Sequence, residues 1–369
     1  MKRLAFVSIV LLCSCDKPAA VAPSATTVNV TPATSVTPAV QEPASAVEPE
    51  PLPVDFAVHG AAHGGWIGAH ANAPVTPTGI WASGNLVIAA GAGKILRSID
   101  RGQHWSVFDG PGDQPVVWGS SSSDIYVAGK GVVHSTDGGR TWTSVTTPPG
   151  SVYGIWGTPK GDLVWTVGGS TDAPPFIAKS KDHGAKWTAV RHQEKPSWLY
   201  DVTGAPDGKT TYFVGKRPTK NDATEAFLMR TFDEYGMELP GRPKYPSGDY
   251  DGIRKICFSG SGAIFATTSY GVHVSRDQAR TWTLAADVGT EVLSLGCSGK
   301  RIVAGARNHQ LRISDDDGVT WKQNETDAAI GDPLVAITAV FVFPNGDTIL
   351  GAESYDQKKA HGTLLRYTR

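Results

Sequence analysis

Three hydrophobic patterns divide the chain. From Leu4 to Leu12 apolar residues run almost unbroken behind Lys2 and Arg3. That stretch is about nine residues, well short of the roughly 20 that span a bilayer, and it predicts a cleaved export signal. From Asp16 to Val54 no apolar face forms, because prolines recur at 18, 23, 32, 38, 43, 49, 51 and 53 among Ala, Thr, Val and Ser. Such a segment buries no core and predicts an extended, semi-stiff tether. Beyond it, short apolar stretches alternate with small-residue turns: Gly79 to Gly84 (GIWASG), Val116 to Ser121 (VVWGSS), Gly154 to Pro159 (GIWGTP), Asp201 to Pro206 (DVTGAP), Lys255 to Gly260 (KICFSG), Ser294 to Gly299 (SLGCSG) and Ala339 to Pro344 (AVFVFP). Seven starts over residues 55–369 leave about 45 residues per unit, the length of a four-stranded blade.

A second pattern interlocks with the first. Ser98 to Trp105 (SIDRGQHW), Ser135 to Trp142 (STDGGRTW), Ser180 to Trp187 (SKDHGAKW), Ser275 to Trp282 (SRDQARTW) and Ser314 to Trp321 (SDDDGVTW) repeat one phrase, SxDxGxTW. Ser and Asp oxygens accept backbone N–H bonds inside a turn, Gly tolerates positive φ, and Trp begins the next strand with a large ring to bury. Ala279 stands where the other copies have Gly, so its turn either carries strain or takes another conformation. The seventh unit ends at a third strand, Thr363 to Tyr367, and Gly65 to Ile67 reads as the missing fourth. A strand from the other terminus would then close the ring and remove its free edges. Most tryptophans fall on first or fourth strands; Trp165 and Trp198 are expected outside them.

The phrase resembles the Asp-box, or bacterial neuraminidase repeat, of sialidase-like propellers. That resemblance implies an all-β fold: a single seven-bladed β-propeller of four-stranded blades, closed by an N-terminal strand. It is similar to the photosystem II assembly factor-like and sortilin-type propellers. In that family the boxes sit on the rim away from the active face, so Asp100, Asp137, Asp182, Asp277 and Asp316 are expected to be structural. The run Leu12, Cys13, Ser14, Cys15 resembles a bacterial lipobox. Residues 1–15 are therefore expected to be a lipoprotein signal, Cys15 the lipidated residue, 16–54 the tether and 55–369 the propeller. The expected location is the bacterial cell envelope, on the inner or outer membrane.

Composition narrows the function. With 34 basic against 35 acidic residues, the net charge of −1 offers no field for nucleic acid. Cys257 and Cys297 remain after processing, on inner strands of neighbouring blades, and either form a disulfide or stay as buried thiols. His59, His63 and His70 lie among glycines, Asp315 to Asp317 lack a later calcium-binding glutamate, and no HExxH, GxSxG or phosphate-cradling loop occurs. No metal or other cofactor is expected. The arginine triad of a sialidase is missing: its Arg-Ile-Pro phrase is absent. Xyloglucan-cleaving relatives use two rings, and here there is one.

A ligand is expected on the face opposite the boxes, where the long loops Lys216 to Glu225, Glu234 to Asp251 and Glu353 to His361 gather. Tyr200, Asp201, Tyr250, Asp251, Arg254, Lys255 and Glu291 fall near the channel mouth, and such mixed aromatic and charged residues suit a peptide or a carbohydrate. The expected function is a non-catalytic, monomeric envelope lipoprotein that binds a partner protein or glycan. The alternatives are a glycoside hydrolase using Asp201 and Asp251 as its carboxylate pair, and a purely structural envelope component.

Overall fold

The computed structural model describes residues 54, 56–57, 62–63, 66–68, 73–112, 114–146, 150–169, 174–190, 196–219, 224–232, 235–238, 241–243, 252–324, 334–354 and 362–368. Cys15 and the tether up to Pro53 lie outside them. Among the described residues there are strands and no helix.

Three short strands, β1 (Phe56–Ala57), β2 (Ala62–His63) and β3 (Trp66–Gly68), precede the first full blade. Blade one comprises β4 (Gly79–Ser83), β5 (Leu86–Gly91), β6 (Lys94–Ser98) and β7 (His104–Asp109). Blade two is β8 (Val116–Ser121), β9 (Asp124–Gly129), β10 (Gly131–Ser135) and β11 (Thr143–Val145). Blade three is β12 (Ser151–Gly157), β13 (Val164–Gly169), β14 (Phe176–Ser180) and β15 (Thr188–Ala189). Blade four is β16 (Trp198–Gly204), β17 (Thr210–Pro218), β18 (Thr224–Phe232) and β19 (Tyr235–Glu238). Blade five is β20 (Ile256–Phe258), β21 (Ile264–Thr267), β22 (Gly271–Ser275) and β23 (Thr283–Asp287). Blade six is β24 (Val292–Ser298), β25 (Arg301–Ala306), β26 (Leu311–Ser314) and β27 (Lys322–Asn324). Blade seven supplies β28 (Leu334–Val342), β29 (Thr348–Ser354) and β30 (Gly362–Tyr367). The first strands touch in sequence all the way round, from β4 through β28 and back to β4. The protein is a seven-bladed β-propeller.

The N-terminal segment closes the circle. Strand β3 pairs antiparallel with β30, Trp66 opposite Tyr367, and so becomes the fourth strand of blade seven. The same segment also adds two outer strands that the sequence pattern did not predict. Strand β2 caps blade seven through β3, and β1 caps blade one through β7, with the Phe56 and Trp105 rings stacked 6.1 Å apart.

No single core exists. Buried apolar residues fall into seven clusters, each shared by two adjacent blades. Second strands such as Leu86–Gly91 and Arg301–Ala306 are buried along their whole length because a neighbouring blade covers each face. This is why their sequences run apolar instead of alternating.

The repeated phrase builds one turn five times. In each copy Ser Oγ donates to Asp Oδ1 at 2.8 Å. The N–H two residues beyond the Asp donates to the Ser oxygen at 2.8–2.9 Å. The N–H two residues further on reaches Asp Oδ1 at 2.8–2.9 Å. Ala279 keeps the left-handed backbone of the glycines it replaces, at φ 66°, so of the two expected outcomes the turn takes the strained one.

Two expectations need correction. Trp198 is on a first strand, at the start of β16. The expected loops Lys216 to Glu225 and Glu234 to Asp251 are partly strand: β17 runs to Pro218 and β18 starts at Thr224, held by the cross-strand ion pair of Arg217 Nε with Glu225 Oε1 at 2.8 Å, and β19 takes up Tyr235–Glu238. Cys257 and Cys297 are joined by a disulfide across blades five and six.

Candidate functional site

In a four-stranded meander the first-to-second and third-to-fourth turns share one face, and the first strands begin on the other. The repeated turns therefore mark the face away from the first-strand starts, and the central channel opens where those strands begin. A cavity of about 330 Å³ occupies that opening.

Four blades build its rim by one local device. The pairing of first and second strands skips a residue in β12, β16, β24 and β28, and the residues skipped include Tyr153, Tyr200, Leu293 and Thr338. All four line the cavity. A bulge adds one residue to a strand and re-aims its side chain. Blade five reaches a similar arrangement by other bonds: Arg254 N–H donates to Thr267 O at 3.0 Å, and Lys255 N–H to Thr267 Oγ1 at 3.0 Å. Thr78 supplies the rim of blade one.

On blades one, three, four and six the residue after the rim position faces the next blade. Ser294 Oγ donates to Ile337 O at 2.9 Å, carrying blade six to blade seven. Thr338 Oγ1, on the rim itself, donates to Pro77 O at 2.6 Å, and Thr78 Oγ1 to Pro115 O at 2.8 Å. Asp201 Oδ2 accepts the Ile256 N–H at 3.2 Å, linking blades four and five. Gly154 lets bare backbone approach: a Cβ there would lie 2.8 Å from Asp201 Cα. The Cys257–Cys297 disulfide joins blades five and six. Below this layer the channel narrows to a cavity of about 150 Å³ whose walls include Ile80, Val117, Ile155, Leu295 and Val340.

Charge is concentrated on blades five and six. Arg254 Nη2 meets Glu291 Oε1 at 2.5 Å, and Arg307 Nε meets Glu291 Oε2 at 2.8 Å. The Arg254 guanidinium also lies over the Tyr200 ring, 4.9 Å from its centroid. Tyr200 is backed by Trp198, which stacks on Tyr153 at 5.7 Å. Arg254 is thus held in one orientation from two sides. Asp201 lies deeper, in the wall of the lower cavity. Burial pushes its carboxyl up from the ordinary carboxylate range, against the pull of Lys255 and two backbone N–H groups. Lys255 Nζ stands 3.8 Å from Asp201 Oδ1.

Of the residues expected from sequence, the structure brings Tyr200, Arg254, Lys255 and Glu291 together around one cavity, with Asp201 beneath. Tyr250 and Asp251 lie outside the described residues, so Asp201 has no described partner for a carboxylate pair. Sequence reasoning missed Thr78, Tyr153, Leu293, Arg307, Thr338 and Glu353, which share the lining. The available signal was position: most rim residues immediately precede the recurring first-strand phrase. Asp100, Asp137, Asp182, Asp277 and Asp316 are on the opposite face, each engaged inside its own turn. Among the described residues no group of three or more metal-ligating side chains comes together.

No protein-family model and no curated protein matches the chain. Solved structures do. YCF48 bound to D1 peptide matches with a TM-score of 0.60 and 17% identity over 85% of this chain and 99% of that one. YCF48 from Cyanidioschyzon merolae matches at 0.59 and 16% identity, over 82% and 98%. The extracellular domain of the putative one component system BT4673 from B. thetaiotaomicron matches at 0.59 and 13% identity, over 86% of this chain but 40% of that one. At these identities the likeness is one of fold.

Proposed function

We propose that the protein is a non-catalytic, lipid-anchored component of the bacterial envelope whose propeller holds a segment of a partner protein at the channel mouth. The observation that carries this reading is the preset orientation of Arg254 between Tyr200 and Glu291 on a rim built from re-aimed residues. A large aromatic, a fixed guanidinium and a concave floor are the features from which binding hot spots are made. Support also comes from the similarly folded YCF48, which is described as bound to a peptide. The export signal and tether read from residues 1–54 fit a ring carried at a membrane surface.

A glycoside hydrolase is the second reading, favoured by one observation: Asp201 is a carboxyl of raised pKa in a channel. One experiment separates the two. Residues 54–369 are presented to detergent-solubilised envelope and to cell-wall glycan, and captured material is identified by mass spectrometry. Saturable capture of a protein, lost in Arg254→Ala and kept in Asp201→Asn, is the expected result. Enrichment of shortened polysaccharide, abolished by Asp201→Asn, would replace it with the hydrolase.

A further inference from the structure

The polar groups of the mouth divide by the hydrogen bonds left open to them. On blades five and six the donors Arg254, Lys255 and Arg307 line the cavity. Each already has an anion from its own chain: Arg254 and Arg307 share Glu291, and Lys255 stands 3.8 Å from Asp201. On blades seven and one the lining turns to acceptors. Thr338 Oγ1 donates to Pro77 O at 2.6 Å, and Thr78 Oγ1 to Pro115 O at 2.8 Å. A hydroxyl has one proton and two lone pairs, so these threonines can only accept from a ligand. Glu353 completes this side with an exposed carboxylate.

The three acceptors are neighbours in the fold. Thr338 stands out from β28 between residues paired with Ala352 and Gly351, and Glu353 follows Ala352 on β29. Pro77, which takes the Thr338 proton, directly precedes Thr78. Glu353 finds no cation across the ladder, where its partners are Ala336 and Gly362. Arg307 bridges the same Ala336 from blade six, yet its Nε is turned to Glu291 at 2.8 Å. Among the described residues Glu353 alone of the charged lining has no ion partner. A carboxylate beside two committed hydroxyls lacks a cationic donor, and such charge-assisted bonds are the strong ones.

We propose that blades seven and one receive a basic side chain, Lys or Arg, from the partner segment, with Glu353 as its carboxylate and Thr78 and Thr338 as further acceptors. This rests on the mouth being a protein-binding site. The rest of the segment crosses the mouth towards Tyr153, Tyr200 and Arg254. Its basic residue therefore fixes which way round it lies.

The test uses the full chain in detergent and a phage-displayed library of linear twelve-residue peptides. It is repeated with Glu353→Gln, Glu353→Lys and Arg254→Ala, each shown to be folded by thermal melts. The expected result is a set of enriched peptides sharing one Lys or Arg. Replacing that residue by Ala weakens binding by about fivefold or more, and so does Glu353→Gln. The two changes together weaken it no further than either alone. Glu353→Lys weakens it more, and a peptide with Glu at the shared position restores it. The Ala-substituted peptide keeps the question answerable on unaltered protein. Peptides that lose binding in Arg254→Ala but bind Glu353→Gln as well as wild type would overturn the basic-residue site and leave the mouth reading standing. Binding unchanged in all three variants, or no enriched peptide, would overturn both.

Discussion

The backbone of Gly318 rests against the Phe265 ring of the preceding blade, so closely that a Cβ built on it would stand 2.5 Å from Cε1. Similar contacts recur where Gly102 meets Ile349, Gly139 meets Ile88 and Gly184 meets Tyr126. The fifth letter of the repeat is therefore set twice, by a positive φ and by the neighbour it touches. Gly318→Ala is expected to destabilise the ring by about 2 kcal/mol or more, measured by denaturant unfolding. Ala279 tests the converse. Its methyl is buried in the cluster that contains Tyr212, so Ala279→Gly exchanges relief of about 1 kcal/mol of left-handed strain for a similar loss of burial. A change within about 0.5 kcal/mol is expected.

The N-terminal closure predicts a strong dependence on residues that precede blade one. A chain starting at Val75 loses β1, β2 and β3, including the fully buried Trp66 that packs on Tyr367. It should melt well below one starting at Val54. Equal melting temperatures would contradict the closure. Trp66→Ala alone should cost about 3–5 kcal/mol.

Blade five has the shortest first strand, β20, with three residues, and the only covalent link to a neighbour among the described residues. The bond closes a loop of 40 residues, for which chain entropy gives about 4 kcal/mol. Reduction with a dithiol, or Cys257→Ser, should lower stability by up to that amount. Unfolding curves recorded with and without reductant provide the measurement.

Acid should act on the face that carries the repeated turns. Asp277 and Asp316 are held down to about 2, first by the Thr281 and Thr320 hydroxyls and then by backbone N–H groups. Asp124 also sits at about 2: the His134 ring and Ser120 hydroxyl outweigh its burial. Their unfolded value is near 3.8, so the unfolded chain takes up protons first as pH falls. The stability they contribute is complete above about pH 4 and disappears towards pH 2. Asp201 has the opposite sign. Its folded value is raised, so stability contributed by its protonated form is lost as pH rises through that value. Asp201→Asn, which keeps an oxygen for the Ile256 N–H, should be neutral or stabilising at pH 7, as read from paired acid titrations of wild type and variant.

Much of this architecture is written in local chemistry. The Ser, Asp and Gly of the repeated turn satisfy one another within eight residues, so a short window suffices to recognise them. Counting strands then forces the N-terminal closure. The rim is different. The bulges that turn out Tyr153 and Tyr200 depend on one extra residue opposite a neighbouring strand, and no residue type marks that offset. Tyr200 and Arg254 were legible because they flank the first-strand phrase on well-aligned blades. Arg307 was not, since it lies after β25 and reaches the site through Glu291. Blade four's second strand runs further than expected, because Pro218 sits at the last residue of β17, where a missing N–H does no harm.

The pairing of Trp66 with Tyr367 also sets an order of events. Blade seven stays unfinished until Gly362–Tyr367 leaves the ribosome, although its partner strand was made before every complete blade. Five junctions can form while the two that border blade seven wait, with apolar faces of blades one and six turned to water. Contacts so distant in sequence form slowly, and an open arc with exposed edges is prone to association. Folding of this ring is therefore finished from its ends, and the last step brings the beginning and end of the propeller together.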